Sequence, residues 1–248
     1  MNFKLWNNYD YIPKSLAITL DKRLKNVIDR IENFFKNAVD KNFEEEFVEF
    51  YLAGSCIKRD TFRDIDMFFK TKEELENILS HIDSKHFLYK NNSHTFEFEK
   101  DVFQCVYRER FLEKDLKFIV DIFDFSSTKI GFKCRLNTKT NKVEVIESDI
   151  RETFIEYLKS RRNNISRINQ NPFVSLQRAV RFSKSGDSVP FTAYLDIIYE
   201  ISKINPDENY DVYFERLQGD DENYQEIKDA IEVFLKKKSE LNKLSSKN

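Results

Sequence analysis

The stretch Phe50–Lys70 reads FYLAGSCIKRDTFRDIDMFFK and combines an abrupt chain turn with a pair of acidic residues. Its first apolar run stops at Gly54-Ser55, and Asp64 and Asp66 follow on either side of Ile65, directly before a second apolar run. Side chains two positions apart on a strand point to the same face. We therefore predict that the two carboxylates project together from a strand while Ile65 faces the opposite layer.

The residue types in this stretch suit a metal ion and a phosphate. Two adjacent carboxylates repel each other, and each raises the pKa of the other unless a cation lies between them. Mg²⁺ prefers such oxygen ligands and takes its remaining ligands from water and substrate phosphates. A glycine lets the backbone approach a phosphate closely, and a helix N-terminus offers free N–H groups. An Asp-x-Asp pair alone is more often a surface strand end, but the Gly-Ser turn and flanking apolar runs favour a nucleotide site.

Composition and charge limit the classes of protein to which the chain can belong. With 248 residues and a net charge of −2, it is long enough for one large domain or two small ones and has no overall basic footprint for nucleic acid. The sequence contains no apolar run of about 18 residues and no secretory signal pattern, so we expect no membrane contact. Cys56, Cys105 and Cys134 form no CxxC pair, which favours a reducing, cytoplasmic location.

Hydrophobic periodicity predicts an α+β fold, with a small mixed or antiparallel sheet and flanking helices, followed by an all-helical domain. The predicted domains are 1–147, which includes an N-terminal helix, and 148–248, which ends in a frayed tail after Lys236. Segment 112–123 fits a helix face, although 118–125 also fits a buried strand. The remaining predicted elements are helices 16–39, 72–82, 149–160, 171–185, 190–203 and 223–240, strands 48–53, 64–69, 95–99 and 102–107, and a hairpin formed by 130–136 and 143–146.

Three motifs in order resemble a known superfamily. Gly54-Ser55 followed by Asp64-Ile65-Asp66 resembles the Gly-[Gly/Ser]…Asp-x-Asp signature of the DNA polymerase β-like nucleotidyltransferases. Arg59-Asp60, the element Phe123-Asp124-Phe125-Ser126 before the hairpin, and the helix 171–182 are similar to motifs in the head of bacterial poly(A) polymerases and CCA-adding enzymes. The Phe-Asp-Phe-Ser element also resembles that of short bacteriophage nucleotidyltransferase-like proteins.

The chain departs from the poly(A) polymerase pattern at several positions. Ile122-Phe123 replaces an arginine pair before Asp124, and Asn171 and Val174 replace an aspartate and an arginine. The chain also has no clear Glu-Asp-x-x-Arg motif of the kind that reads the base. The resemblance therefore implies the type of reaction rather than the nucleotide or the acceptor.

The resemblance implies a magnesium-dependent nucleotidyltransferase with two Mg²⁺ ions and a nucleoside triphosphate such as ATP as substrate. The first choice of acceptor is a tRNA-like RNA 3′ end, which would make the chain an RNA-binding, tRNA-processing enzyme. A second possibility is transfer of a nucleotide to a protein or a small molecule, as toxin-like or regulatory relatives do. A non-catalytic nucleotide- or RNA-binding relative belongs to a third class. The paired aspartates argue against that class, because a dead copy has no reason to keep a repulsive pair.

The resemblance also implies roles for individual residues of the first domain. Asp64 and Asp66 are the metal ligands and catalytic acids, and Gly54 and Ser55 hold the triphosphate. Arg59 and Asp60 contact the triphosphate or support the loop. Asp124 is a third acid or a ribose contact, with Asp121 as its competitor. Gln104 occupies a strand on which other branches of the superfamily place their third carboxylate.

Basic residues in the second domain form another candidate group. Arg178 and Arg181 are three residues apart on one predicted helix, so both can reach the same ligand. The resemblance implies that they contact the phosphates or the base across a cleft, whereas a solvated helix face is the alternative. Arg161-Arg162 and Arg167 add positive charge that would guide a nucleic-acid strand, but ordinary surface charge is the favoured interpretation.

Overall fold

A computed structural model describes residues 5–40, 43–90, 93–205, 211–215, 217 and 223–245. The chain divides into two compact units, Met1–Lys159 and Ser160–Asn248. The helices are α1 (Lys14–Ala38), α2 (Lys72–His81), α3 (Leu116–Asp121), α4 (Glu152–Ser160), α5 (Pro172–Lys184), α6 (Phe191–Ser202), α7 (Asp211–Phe214) and α8 (Tyr224–Ser245). The strands are β1 (Phe47–Ala53), β2 (Ile65–Phe69), β3 (Phe87–Lys90), β4 (His94–Phe98), β5 (Asp101–Tyr107), β6 (Ile130–Asn137) and β7 (Lys142–Ile150).

The strands form one seven-stranded sheet in the order β3-β4-β5-β2-β1-β6-β7. Strands β2 and β5 run parallel, and the other neighbouring strands of this sheet are antiparallel. The chain reaches β5 from β2 through α2 and the β3–β4 pair, a connection long enough for a parallel crossover. The central position of β1 and β2 places the Gly54 turn and the acid pair at the middle of the sheet.

Each face of the sheet is buried by different helices, so the strand residues alternate between two hydrophobic clusters. On the first face, Phe50 and Leu52 of β1 pack in the core that α1 and α2 cover. On the second face, Tyr51 and Ala53 pack with the short helix α3. Strand β2 follows the same alternation: Ile65, Met67 and Phe69 are on the first face, and Phe68 is on the second. Asp66 is therefore on the second face, beside α3.

The structure confirms the predicted α+β class, with a mixed sheet, flanking helices and helices after the last strand. Several predicted boundaries were wrong. The hairpin continues to Ile150, because β7 pairs with β6 as far as Ile130, so helix α4 begins at Glu152 rather than 149. Helix α8 continues to Ser245, beyond the predicted end at 240, and residues 246–248 of the predicted frayed tail are outside the described ranges.

The ambiguous segment 112–123 is helical, but its helix is shorter than predicted. Asp115 accepts a hydrogen bond from the backbone N–H of Phe118, and this N-cap fixes the start of α3 at Leu116. Leu112 precedes the cap and is exposed rather than on the helix face. At the other end, Lys129 Nζ donates to the carbonyl of Asp121 at 2.9 Å, which satisfies a free helix C-terminal acceptor.

The second unit contains α5 to α8. Asn171 caps α5 by accepting from the N–H of Phe173, and Pro172 occupies the first turn. Gly186 follows the helix with a φ of +82°, the left-handed conformation that glycine adopts easily. Among the described residues, no helix is both long and apolar enough to cross a membrane.

Candidate active site

Gly54 brings the chain turn into contact with the acid pair. Its φ is +101°, a conformation that residues with a side chain rarely adopt. A Cβ atom at this position would lie 3.1 Å from Oδ2 of Asp66 and 3.9 Å from the ring of Phe123. The glycine is therefore required twice, for its backbone conformation and for the space next to the Asp66 carboxylate.

Asp66 is the second residue of β2, whereas Asp64, which is predicted from the sequence to be in the strand, lies just before it. Asp66 is half-buried on the second face of the sheet, and Ile65 is buried on the first face. Asp64 immediately precedes the strand and is only 5% exposed. Burial raises the pKa of the Cys56 thiol well above its usual value, and the charges of Asp66 and Asp64 raise it further. Both carboxylates are therefore close enough to Cys56 to act on its thiol.

Arg63 binds Asp64 directly. Its Nη2 and Nε atoms both donate to Oδ2 of Asp64, at 2.7 and 2.9 Å. The Arg63 side chain is 47% exposed, whereas that of Asp64 is 7% exposed. A buried carboxylate thus carries a positively charged partner that reaches to the surface.

The loop between Gly54 and β2 is fastened to helix α1 by Arg23. The Nε atom of Arg23 donates to Oδ1 of Asp60 at 3.0 Å, and its Nη1 atom donates to the carbonyl of Lys58 at 2.8 Å. The hydrogen bond from Arg23 lowers the pKa of the exposed Asp60 carboxyl. The structure therefore places Asp60 in a supporting contact, while Arg59 lies half-buried between these two loop residues.

Phe123 and Asp124 follow α3, and Phe123 approaches the Gly54 turn from the second face. The Phe123 ring packs edge-on against Phe68 with a centroid distance of 5.9 Å, and it also borders Gly54. Asp124 is 2% exposed and lies just before the 3-10 turn Ser126–Thr128. Asp124 is therefore a buried carboxyl three residues beyond α3, and its role stays a prediction.

Asp121, the alternative to Asp124 as the third acid, forms an ion pair with Arg151. Its side chain is 52% exposed, and Arg151 Nη2 lies 2.9 Å from its Oδ1 atom. The same guanidinium nitrogen lies 3.0 Å from Oδ2 of Asp149. Asp121 thus belongs to a surface ion pair at the end of α3.

Gln104 of β5 lies beside Asp66. The two residues are direct partners in the parallel ladder between β2 and β5. Their side chains share the second face, since Phe103 and Cys105 are in the core of the first face and Val106 is on the second. The position next to Asp66 therefore holds a neutral amide, which can both donate and accept a hydrogen bond.

The donor set fits a magnesium ion that is shared with a substrate. Within the part of the chain that the structure describes, no group of three His, Cys, Asp or Glu side chains could hold a metal ion. Asp64 and Asp66 supply two carboxylates, and Mg²⁺ is commonly bound by one or two carboxylates together with waters and substrate phosphates. The residues present therefore fit Mg²⁺ only if water and a phosphate supply the other ligands.

Arg178 and Arg181 are on helix α5 of the second unit, one turn apart as predicted. Both side chains are half-buried, and the guanidinium carbon of Arg181 lies 5.7 Å from the centroid of the Phe182 ring. Their role toward a ligand stays a prediction, as does the role of Arg161-Arg162 and Arg167.

Sequence reasoning missed Arg63 and Arg23. Arg63 directly precedes Asp64, but adjacency along the chain does not say that a side chain folds back onto its neighbour. Arg23 is 37 residues from Asp60, so the sequence contains no signal for their contact. Phe123 was noted as part of the Phe-Asp-Phe-Ser element and as a departure from an arginine pair, but not as a ring beside the Gly54 turn.

Comparisons with known proteins give matches among solved structures only. No protein-family model and no curated protein matches the chain. A CCA-adding enzyme in complex with ATP is 16% identical, with a TM-score of 0.47, and the match covers 82% of this chain and 47% of that one. A tRNA-processing enzyme complex is 11% identical, with a TM-score of 0.37, and the match covers 68% of this chain and 51% of that one. The chain thus spans about half the length of these structures.

Proposed function

We propose that the protein is a magnesium-dependent nucleotidyltransferase that transfers a nucleoside monophosphate from a nucleoside triphosphate to an acceptor hydroxyl. The observation that carries this proposal is the close approach of the Gly54 turn, whose φ is positive, to the Asp66 carboxylate. A turn that offers close backbone approach suits a phosphate, and it is held here against an acid pair that suits the cation accompanying the phosphate.

The reaction needs positioning and charge neutralisation more than covalent chemistry. The acceptor oxygen attacks the α-phosphorus and loses its proton, the bond from that phosphorus to the β-phosphate oxygen breaks, and pyrophosphate leaves. Gly54 and Ser55 would bind the triphosphate, with Arg59 close by and Asp60 holding the loop through Arg23. Asp64 and Asp66 would hold two Mg²⁺ ions, which neutralise charge on the attacking and leaving oxygens.

Asp124 would complete the site from the side of α3. Its burial and its position next to Phe123 support a contact with the ribose or a role as a third acid. Arg178 and Arg181 would contribute contacts to the phosphates or the base, as their spacing on one helix allows.

An RNA 3′ end, tRNA-like in form, is the acceptor that the order of the motifs at Gly54, Asp124 and Arg178 favours. The second candidate is a hydroxyl of a protein or a small molecule. The absence of the Glu-Asp-x-x-Arg motif from the sequence favours this second candidate, because that motif would select a nucleotide for a defined RNA end.

Labelled nucleoside triphosphates distinguish these possibilities. The purified protein is incubated with each labelled triphosphate in turn, together with Mg²⁺, total RNA and cell extract. Label in RNA supports the first candidate, and label in protein or in a small molecule supports the second. Asp64→Asn and Asp66→Asn are expected to abolish transfer, whereas Asp83→Asn, which removes an exposed acid paired with Lys85, serves as the matched control. Transfer that persists in both site variants would overturn the proposal.

A further inference from the structure

The ion pair between Arg63 and Asp64 lies inside the site proposed for metal and triphosphate. Two guanidinium nitrogens of Arg63, Nε and Nη2, donate to one oxygen, Oδ2 of Asp64. This arrangement cancels one of the two negative charges that would attract a cation. A cation that uses Asp64 must therefore compete with Arg63.

The partial exposure of Arg63 indicates that its side chain can leave Asp64. Nearly half of the Arg63 side chain is in contact with solvent, whereas Asp64 is held in the protein. A buried carboxylate that loses its cationic partner without a replacement carries a large desolvation cost. Arg63 is thus expected to leave only when another cation arrives.

A triphosphate with its Mg²⁺ ion supplies a new partner for Asp64 and a new partner for Arg63. It enters with Mg²⁺, which replaces the positive charge at Asp64, and it offers phosphate oxygens to the released guanidinium. Arginine binds phosphate with the same planar fork that it uses for a carboxylate. After the exchange, each charged group has a new partner of opposite charge: Asp64 has the metal ion, and Arg63 has the phosphate.

We propose that Arg63 is an exchange residue: it holds Asp64 while the site is empty and moves to the triphosphate when the metal and the triphosphate bind. This inference rests on the proposed function, because it assigns the incoming ligands of that same site. It makes Arg63 a positioning residue that keeps the acid pair from binding a metal ion without substrate.

Metal binding without nucleotide tests the first half of the proposal. Mn²⁺ serves as the probe, and electron paramagnetic resonance measures its free concentration. Arg63→Gln is expected to bind Mn²⁺ about fivefold more tightly than the unchanged protein, a factor that corresponds to ~1 kcal/mol for an ion pair of this exposure. Arg63→Lys keeps the charge and is expected to stay close to the unchanged protein.

Tripolyphosphate tests the second half, since it carries the charges of a nucleotide without a base. In the presence of Mn²⁺, Arg63→Gln is expected to bind tripolyphosphate about fivefold more weakly, because the fork no longer reaches the phosphate. Arg135→Gln is the matched control. Arg135 also donates from Nε and Nη2 to one carboxylate oxygen, that of Glu49, and its side chain is 41% exposed.

The outcomes separate this inference from the proposed function. Tighter Mn²⁺ binding together with weaker tripolyphosphate binding in Arg63→Gln alone supports the exchange. Unchanged or weaker Mn²⁺ binding overturns it, and so does unchanged tripolyphosphate binding. If Asp64→Asn and Asp66→Asn both bind Mn²⁺ and tripolyphosphate like the unchanged protein, the proposed function itself fails. Thermal unfolding of each variant identifies any loss that comes from misfolding.

Discussion

A methyl group added at Gly54 is expected to affect both the stability of the fold and the reaction. Gly54→Ala forces a side chain into a φ of +101° and places its Cβ atom 3.1 Å from Oδ2 of Asp66. We expect a loss of about 1–3 kcal/mol in the free energy of unfolding, together with loss of nucleotidyl transfer. Denaturant unfolding and the labelled-nucleotide assay measure these two effects.

Gly186→Ala is the control for this prediction. Gly186 also has a positive φ, of +82°, but a Cβ atom there would meet nothing within 4 Å. We expect a comparable loss of about 1–2 kcal/mol from backbone strain, with transfer largely retained. Equal loss of activity in both variants would mean that Gly54 acts through stability alone and not through its contact with Asp66.

The three cysteines are expected to be unreactive in the folded protein. Burial raises the pKa of Cys105 and of Cys134 to about 12. Burial also raises the pKa of Cys56 well above its usual value, and the charges of Asp66 and Asp64 act in the same direction. The pKa of each thiol is higher in the folded protein than in the unfolded chain. The free energy of unfolding is therefore unaffected by these thiols below pH about 9, and it falls only above that pH, where the thiols of the unfolded chain ionise. An aromatic disulfide reagent should detect no fast thiol at pH 8 and all three in guanidinium. A single fast thiol in the native protein would contradict the burial of that residue.

At the level of residues, the sequence predicted those positions whose chemistry depends on local spacing. Gly54, Asp64 and Asp66 lie within one turn and one strand start, so local spacing was enough to predict the turn beside Asp66, and the joint role of the two carboxylates stays a prediction. The partners of Asp64 and Asp60 were beyond this kind of reasoning. Arg63 reaches Asp64 through its rotamer, and Arg23 reaches Asp60 through the packing of α1 on the sheet.

Helix α3 is the element that positions the second face of the site, and Gly131 sets its distance from the sheet. A Cβ atom at Gly131 would lie 2.7 Å from Cγ2 of Val120 and 3.0 Å from Cδ1 of Leu116. Gly131→Ala should therefore push α3 outward and cost about 1–3 kcal/mol, as overpacking of a core does. Nucleotide transfer should also fall, because Phe123 and Asp124 directly follow this helix.

A double-mutant cycle with Val120→Ala tests this explanation. If the clash with Val120 is the cause, removing two methyl groups there should make Gly131→Ala less costly, with a coupling of about 1 kcal/mol. Additive losses in the double variant would show that the added methyl group is accommodated elsewhere. Chemical unfolding of the four proteins supplies the numbers.

At the level of elements, segments with a clear period were predictable, and β3, which has none, was not. Helix α1 and the β6–β7 pair carry their pattern over many residues, so their type was correct. Strand β3 was missed because its four residues show no alternation, and Phe87, Leu88 and Tyr89 are all exposed. It is a strand because β4 offers it hydrogen-bond partners, and single-sequence patterns do not contain that information.

For the whole molecule, the sequence predicted a sheet part followed by a helical part but not the order of the strands. Neighbours along the chain pair in most of this sheet, yet β2 lies between β1 and β5, and β6 lies on the far side of β1. The order of strands that are distant along the chain depends on which sheet faces the helices cover. That is determined only when all the elements pack together. The placement of Gln104 next to Asp66 is a direct consequence of the parallel β2–β5 pair.

Arg178 and Arg181 on α5 provide a test of whether the helical unit takes part in the reaction. Arg178→Gln and Arg181→Gln are each expected to raise the KM for the nucleoside triphosphate about tenfold, since a charge-assisted hydrogen bond to a phosphate contributes roughly 1.5–3 kcal/mol. Lys203→Gln is the control, because it removes an equal charge from a side chain on α6 that is paired with Glu200. Steady-state kinetics at saturating Mg²⁺ gives KM and kcat for each variant. A KM unchanged in both arginine variants would restrict nucleotide binding to the sheet unit, where Gly54, Asp64 and Asp66 would then have to act without help from α5.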